Sequence, residues 1–296
     1  MTLSRPRIWP ERPRVAIPCG CTLGEGPIWD ARRGELLFVD IEARTLLRWR
    51  TGEAEPRRHA LPEKVGFVLL TGDPDRVLVG LASGLARFGL NDERLDIVLS
   101  PEPDRPGNRL NDGAAGLDGQ VYFSSMDDGQ TQPTGRFYRW DGVGPAQAFG
   151  EPTIVANGPA IDPERGALYA SDTTHRHVYR HRLEADGTVG PRELLVAFGP
   201  GDGHPDGMTV DAEGHLWVAH FGGSRVTRFA PDGAAVLEVT VPTAQVTKVA
   251  FGGPDLGTLY VTTAAQHRDR TIDLQAGHVF AVETGIVGRP AELCRI

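Results

Sequence analysis

The chain is short of several things, and each shortage excludes something. It has three cysteines, Cys19, Cys21 and Cys294, an odd number that argues against a disulfide framework. Cys19 and Cys21 stand two apart with no matching Cys or His cluster downstream. A zinc site is therefore not expected there, and both read as ordinary thiols on an early strand. No apolar run approaches the roughly 18 residues of a membrane span. The start, MTLSRPRIWPERPRVAIPCG, is polar and Pro-rich with no apolar signal segment, so a cytoplasmic address and no membrane partner are expected. Runs of Lys and Arg are missing, and 31 basic against 39 acidic residues give a net charge of −8. That balance argues against nucleic acid as a partner. No GxSxG elbow, HExxH, P-loop or helix-opening GxGxxG occurs, which disfavours serine hydrolases, zincins and nucleotide-binding folds.

What is abundant is the punctuation of β structure. In 296 residues there are 37 Gly and 23 Pro, and long amphipathic helical patterns are hard to find. One phrase recurs, a turn followed by an alternating apolar segment. It reads GELLFVD at Gly34, DRVLVGL at Asp75, GQVYFSS at Gly119, GALYASD at Gly166, GHLWVAH at Gly214 and GTLYVTT at Gly257. The third residues, Leu36, Val77, Val121, Leu168, Leu216 and Leu259, are spaced by 41, 44, 47, 48 and 43. Most copies are followed by a second alternating segment, such as TLLRWR at Thr45 or RVTRFA at Arg225. A period near 40–50 residues with about four strands per unit is the pattern of propeller blades. The expectation is an all-β, six-bladed β-propeller forming a single domain over residues 1–296, with RVAIPC pairing into the last blade to close the ring. GPGDGHP and QHRDRTIDLQ read as insertions on one face.

Upstream of the phrases lie GEGPIWD, LNDGAAG, NGPAID and PDGMTVD. Aligned on Asp30, Gly116, Asp162 and Asp211, the position five residues earlier holds Glu25, Asn111, Asn157 and Asp206. In a propeller this segment is the innermost strand of its blade, so the four side chains should converge on the axis. The same count from Asp73 gives Val68 in the second unit, and in the last unit Thr247 or Lys248 lies nearby. Two carboxylates and two amides make a hard oxygen set suited to a divalent cation with open positions for water or substrate.

The same residues carry a family resemblance. LGEGPIWD, FVDI, RLNDGAAGLDGQVYFSSM, NGPAIDPERGALYASDT and PDGMTVDAEGHLWVAHFGG, with YVTTA near Tyr260, resemble the SMP-30/gluconolactonase/regucalcin-like family. The resemblance implies a six-bladed propeller that holds one divalent metal and hydrolyses a small sugar lactone. It implies Glu25, Asn157 and Asp206 as metal ligands, Asn111 as a substrate contact that could reach the metal through water, and Arg109 as a binder of sugar hydroxyls. His204 and His220 stand where the family varies, so they bear on which lactone fits. Asp206 is expected to act also as general base, orienting and deprotonating water. Asp112 is expected to orient the loop behind Asn111. For Arg109 a salt bridge to Asp104 or Asp112 stays open, and Phe67 and Met126 are divided between pocket lining and core. His175, His177 and His181 read as surface residues.

The metal stays open among Ca²⁺, Zn²⁺, Mn²⁺, Mg²⁺ and Fe²⁺, the lactone among glucono-, xylono-, arabinono-, galactono- and substituted forms, and the oligomeric state is not fixed. Two other functions fit the scaffold, a calcium-binding regulatory propeller without catalysis and an organophosphate hydrolase. RLNDG favours the lactonase.

Overall fold

The computed structural model describes residues 6–116 and 119–296. Two short strands, β1 (Arg7–Ile8) and β2 (Arg14–Ile17), precede six consecutive sheets. Blade 1 holds β3 (Gly24–Asp30), β4 (Glu35–Asp40), β5 (Thr45–Arg50) and β6 (Arg57–Ala60). Blade 2 holds β7 (Val65–Leu70), β8 (Arg76–Leu81), β9 (Leu85–Gly89) and β10 (Leu95–Leu99). Blade 3 holds β11 (Asn108–Ala115), β12 (Val121–Asp127), β13 (Gly135–Trp140) and β14 (Gln147–Thr153). Blade 4 holds β15 (Ala156–Asp162), β16 (Ala167–Asp172), β17 (His177–Leu183) and β18 (Val189–Ala197). Blade 5 holds β19 (His204–Val210), β20 (Leu216–Phe221), β21 (Arg225–Phe229) and β22 (Ala235–Thr240). Blade 6 holds β23 (Val246–Gly252), β24 (Thr258–Thr263) and β25 (Val279–Glu283), with β2 as its outer strand. The innermost strands touch in a closed cycle, β3–β7–β11–β15–β19–β23 and back to β3, which is the six-bladed propeller.

The repeated phrase is the second strand of each blade, and its side chains are apolar on both faces because both are covered. In β4, Leu37 and Val39 pack towards blade 2, while Leu36 and Phe38 pack towards blade 6. The ring closes as the sequence suggests, with Val15 opposite Phe280 and Ile17 opposite Val279. β1 adds a fifth strand, parallel to β22, with Arg7 opposite Leu237. Cys19 and Cys21, expected on a strand, lie instead in the link between β2 and β3. The two loops read as insertions join β18 to β19 and β24 to β25, at the end where the innermost strands begin. At the other end, residues 284–296 form a strap. Ala212 N donates to Val287 O at 2.9 Å, Gly288 N to Leu256 O at 2.9 Å and Cys294 N to Leu70 O at 2.8 Å, tying blades 5, 6 and 2. Among the described residues no helix is long and apolar enough to cross a membrane.

Register is set at the turn after each innermost strand. Asp30 Oδ1 accepts from Arg32 N at 3.0 Å, Asp162 Oδ1 from Glu164 N at 3.1 Å, and Asp211 Oδ1 from Glu213 N and His215 N at 3.0 Å. In blade 2 the pairing Leu70 with Val77 matches Trp29 with Leu36, so Thr71 holds the place of Asp30. The count from Asp73 to Val68 is therefore corrected: the equivalent of Glu25 is Gly66, which has no side chain. In blade 6, Gly252 opposite Thr258 selects Thr247. Every innermost strand also carries a register irregularity beside this position, for example between Glu25 and Ile28 and between Asn157 and Ala160. Such bulges bend a strand and re-aim its side chains.

At Gly66 the backbones of blades 2 and 3 approach closely. A Cβ there would lie 2.5 Å from Asn111 O and 2.6 Å from Leu110 O, backbone atoms that cannot swing aside. Gly66→Ala should lower stability by about 1–3 kcal/mol, whereas Gly72→Ala, with open space around it, should be near neutral. Urea unfolding of both variants checks this, and equal stability of the two would refute the close-packing argument.

Candidate active site

The register brings Glu25, Asn111, Asn157 and Asp206 to one end of the central channel, all four buried. Asn157 Nδ2 donates to Asp206 Oδ1, joining blades 4 and 5 directly. Asn157 Oδ1 accepts from Gly158 N at 3.0 Å, and Glu25 Oε2 accepts from Gly26 N at 2.6 Å. Thr247 spends its hydroxyl on Gly24 O and on Thr262 Oγ1 at 2.9 Å, which ties blade 6 to blade 1.

The next residue along each innermost strand forms a second ring: Gly26, Phe67, Asp112, Gly158, Gly207 and Lys248. Two of these are charged, and they pair. Lys248 Nζ donates to Asp112 Oδ1 across the axis, between buried side chains 136 residues apart. Asp112 also accepts from Gly113 N at 2.7 Å and Gly158 N at 3.1 Å, so it holds the backbone beside Asn157 as well as its own loop. Lys248 can cross because position 207 is glycine. A Cβ there would lie 2.4 Å from the Lys248 Cγ.

Arg109 is buried, and its carboxylate partner is Asp128, with Nε to Oδ1 at 2.9 Å, rather than Asp104 or Asp112. Its Nη1 donates to Asn111 Oδ1 at 2.7 Å and to Leu110 O at 3.2 Å, while Asn111 Nδ2 donates to Ala156 O at 2.9 Å. The Asn111 amide is thus fixed at both ends. Asp128 also receives Lys64 Nζ at 3.0 Å, and Lys64 bridges on to Glu42 at 3.0 Å. The sequence reading missed Asp128 and Lys64, and it placed Lys248 near the axis only as an alternative to Thr247. A signal was present: the chain has two lysines among its 31 basic residues, and both sit in this network.

His204 opens β19, half-buried, with Nδ1 3.0 Å from Thr173 O. His220 is buried between blades 4 and 5, stacked on Phe198 at 4.2 Å, with Nδ1 donating to Asp202 O at 2.8 Å. Burial pushes its pKa down to about 4. Met126 and Phe67 are core residues, and Phe67 also lines a cavity of about 160 Å³ on the axis. That cavity is bounded by Ile28, Val68, Ile161 and Val210 and by the strap at Pro290. Lys248 lines it; Glu25, Asn157 and Asp206 do not. His175 and His177 lie at the surface, but His181 does not. It is buried with Nδ1 2.9 Å from Gly190 O and its ring against Phe149, because this position of β17 faces blade 3.

Electrostatically the site is crowded with negative charge. Burial raises the Glu25 carboxyl from 4.5 to about 8, and repulsion from Asp112 adds to this, against opposing pulls from Lys248, the Gly26 amide and Arg109. Asp206 is raised well above its ordinary value by burial, then by Glu25 and Asp112. Burial lowers the Arg109 guanidinium, opposed by Asp128. Among the described residues no group of three or more His, Cys, Asp and Glu side chains could hold a metal.

A raised carboxyl means that the native chain keeps a proton the unfolded chain gives up. The stability this contributes is present below about pH 4.5 and is lost as pH rises towards 8. Urea unfolding of the cation-free protein at about pH 6.5 and 8, above the range in which the buried His220 titrates, should show that decline, and Glu25→Gln should reduce it. A rise in stability over the window would contradict the electrostatics described.

A family profile described as the SMP-30/Gluconolactonase/LRE-like region matches residues 23–265. The L-arabinolactonase of Azospirillum brasilense is 36% identical over 273 residues, covering 90% of each chain. The 6-deoxy-6-sulfogluconolactonase of Pseudomonas putida is 33% identical over 270 residues, covering 90% of this chain and 92% of the relative. Among solved structures, the calcium-binding protein regucalcin from Agrobacterium tumefaciens superposes with a TM-score of 0.92 at 29% identity, covering 98% of this chain and 99% of that one. On the matched span and these identities, the chain belongs to the SMP-30/gluconolactonase/LRE-like family.

Proposed function

We propose that this protein is a sugar lactonase that hydrolyses an aldonolactone of the glucono-, xylono- or arabinono- type to the aldonic acid, using one divalent cation held by Glu25, Asn157 and Asp206. The observation that carries the proposal is the convergence of these three side chains from three blades, beside a buried Arg109–Asn111 pair. Two relatives named as sugar lactonases, each at least 33% identical, support the substrate class. The residues fit such a cation. Glu25, Asp112 and Asp206 outnumber Lys248, their one close cationic partner in the second ring, and a charge of +2 relieves the repulsion that raises Glu25 and Asp206. The donors are hard oxygens, and a half-turn of the Asn157 amide offers its oxygen.

What a divalent cation supplies in such a site is Lewis acidity, which polarises a carbonyl oxygen and acidifies water. The protein's own residues do the rest. Asp206 takes the proton of the attacking water as its oxygen adds to the lactone carbonyl carbon. When the ring C–O bond breaks, the leaving alkoxide takes a proton back from Asp206. Arg109 and Asn111 receive the sugar hydroxyls, with Arg109 steadied by Asp128 and Asn111 by Ala156 O. His204, beside Asp206 at the entrance, is assigned to the fit of the lactone. Asp112 and Lys248 hold the ring from behind.

A second reading has a specific observation behind it: the superposing regucalcin structure is described as a calcium-binding protein. A pure calcium binder needs the oxygen set but no hydrolysis, so a lactone panel assayed with and without each metal separates the two.

Asp206→Ala should abolish turnover and sharply reduce bound metal by elemental analysis. Asp206→Asn should retain part of the metal and lose about 10²–10⁴-fold in rate, as removal of a base requires. Near-normal rates in the Asn variant would remove the base role and spare the ligand role. Near-normal metal and rates in the Ala variant would sink the site. Arg109→Ala should raise KM or lower kcat for the preferred lactone with metal content nearly unchanged. Loss of metal there would make Arg109 structural.

A further inference from the structure

The link that carries the chain from β2 into β3 reads Cys19–Gly20–Cys21 and lies where the ring closes. The Cys21 thiol donates to Cys19 Sγ at 3.5 Å, and the Cys19 thiol donates to Gly277 O at 3.3 Å. We propose that Cys19 and Cys21 are a redox modification site, converted by a hydroperoxide to an intramolecular disulfide and returned to the dithiol by a thiol reductant. This proposal is independent of the lactonase reading.

Three observations support it. The sulfurs already touch and need to approach by about 1.5 Å to reach the roughly 2.05 Å of a disulfide. Gly20 between them has φ of 60°, and the nearest atom to a Cβ there would be Arg270 Nη1 at 3.5 Å, so the turn has room to tighten. The two thiols are also unequal. Both residues are buried, but Cys19 keeps 8% of its surface exposed and Cys21 1%. The hydrogen bond from Cys21 lowers the Cys19 thiol, with help from His278 and against the effect of burial. Gly20 N donates to His278 Nδ1 at 3.1 Å, which fixes that ring beside the pair. Cys294 provides an internal contrast. It lies in the C-terminal strap, and burial alone pushes its thiol up to about 12.

The chemistry balances in two steps. Cys19 sulfur attacks one peroxide oxygen, the O–O bond breaks, and the protonated second oxygen leaves as water or an alcohol, giving a sulfenic acid. Cys21 sulfur then attacks Cys19 sulfur, the S–O bond breaks, and the oxygen leaves as water with the Cys21 proton. Two thiols are oxidised and one peroxide is reduced. Reduction reverses this by thiol–disulfide exchange.

The test uses the full chain, reduced and desalted, then treated with hydrogen peroxide, quenched with catalase, denatured and alkylated with N-ethylmaleimide. The expected result is a loss of about 2 Da in the peptide carrying both cysteines, alkylation of Cys294 alone, and three alkylated thiols after dithiothreitol. Three free thiols after peroxide, or sulfinic and sulfonic acids on Cys19 without the 2 Da loss, would overturn the proposal. This measurement needs no variant. In Cys21→Ser, with its fold checked by circular dichroism, dimedone should trap a sulfenic acid on Cys19. An adduct on Cys294 instead would overturn the assignment of Cys19 as the attacking thiol.

Discussion

Glu25, Asp112 and Asp206 bring three carboxyl groups into a part of the channel that solvent scarcely reaches, and the surrounding residues are arranged to contain them. Burying one unpaired carboxylate is costly, and burying three within mutual range is worse. The protein meets the cost in three ways. It hydrogen-bonds each group, Glu25 to the Gly26 amide, Asp112 to two backbone amides and Asp206 to the Asn157 amide. It sets Lys248 against Asp112. It leaves the remaining repulsion as raised proton affinity on Glu25 and Asp206. A cluster held in that state has a raised affinity for positive charge, the property on which the proposed lactonase site relies.

The propeller makes this arrangement possible because it separates the structural work from the chemical work. Stability comes from the blade interfaces, where each second strand is apolar on both faces. The innermost strands are then free to carry polar residues at one height, with a bulge in each that aims those residues towards the axis. Close approach around the axis relies on small residues beside the polar ones. Gly66 admits the backbone of blade 3, and Gly207 admits Lys248. The strap of residues 284–296 bonds across blades at the far end, opposite the loops that frame the polar ring.

The six phrases and the turn aspartates made the fold legible from sequence, because Asp30, Asp162 and Asp211 mark the same backbone event in three blades. Once that event is aligned, Glu25, Asn157 and Asp206 fall into one register. Where the marker changes, the reading slips. Thr71 makes the blade 2 turn with its hydroxyl, to Asp73 O at 2.9 Å and Arg76 O at 2.8 Å, and the count from Asp73 landed two residues late. β1 was invisible because two residues carry no periodicity. His181 was misread because alternation reports which residues share a face, not whether that face is covered. The Lys248–Asp112 pair lay beyond reach for another reason. It joins blades 3 and 6 across the axis, and pairing of that kind is a property of the closed ring rather than of any repeat.

The choice of lysine at 248 and arginine at 109 follows from what each must reach. Lys248 passes Gly207 with its aliphatic stem and delivers a compact ammonium to one carboxylate oxygen. A guanidinium would instead present a rigid planar fork of five N–H donors, where Lys248 brings a point charge to a single oxygen. Arg109 works in the opposite setting. Its fork addresses Asp128, Asn111 and the Leu110 carbonyl at once, and a point charge on a flexible stem could not fix three partners in one plane. The two cations are therefore not interchangeable. Lys248 balances the charge beneath the ring, and Arg109 gives geometry to the mouth above it, where a hydroxylated ligand would have to be oriented.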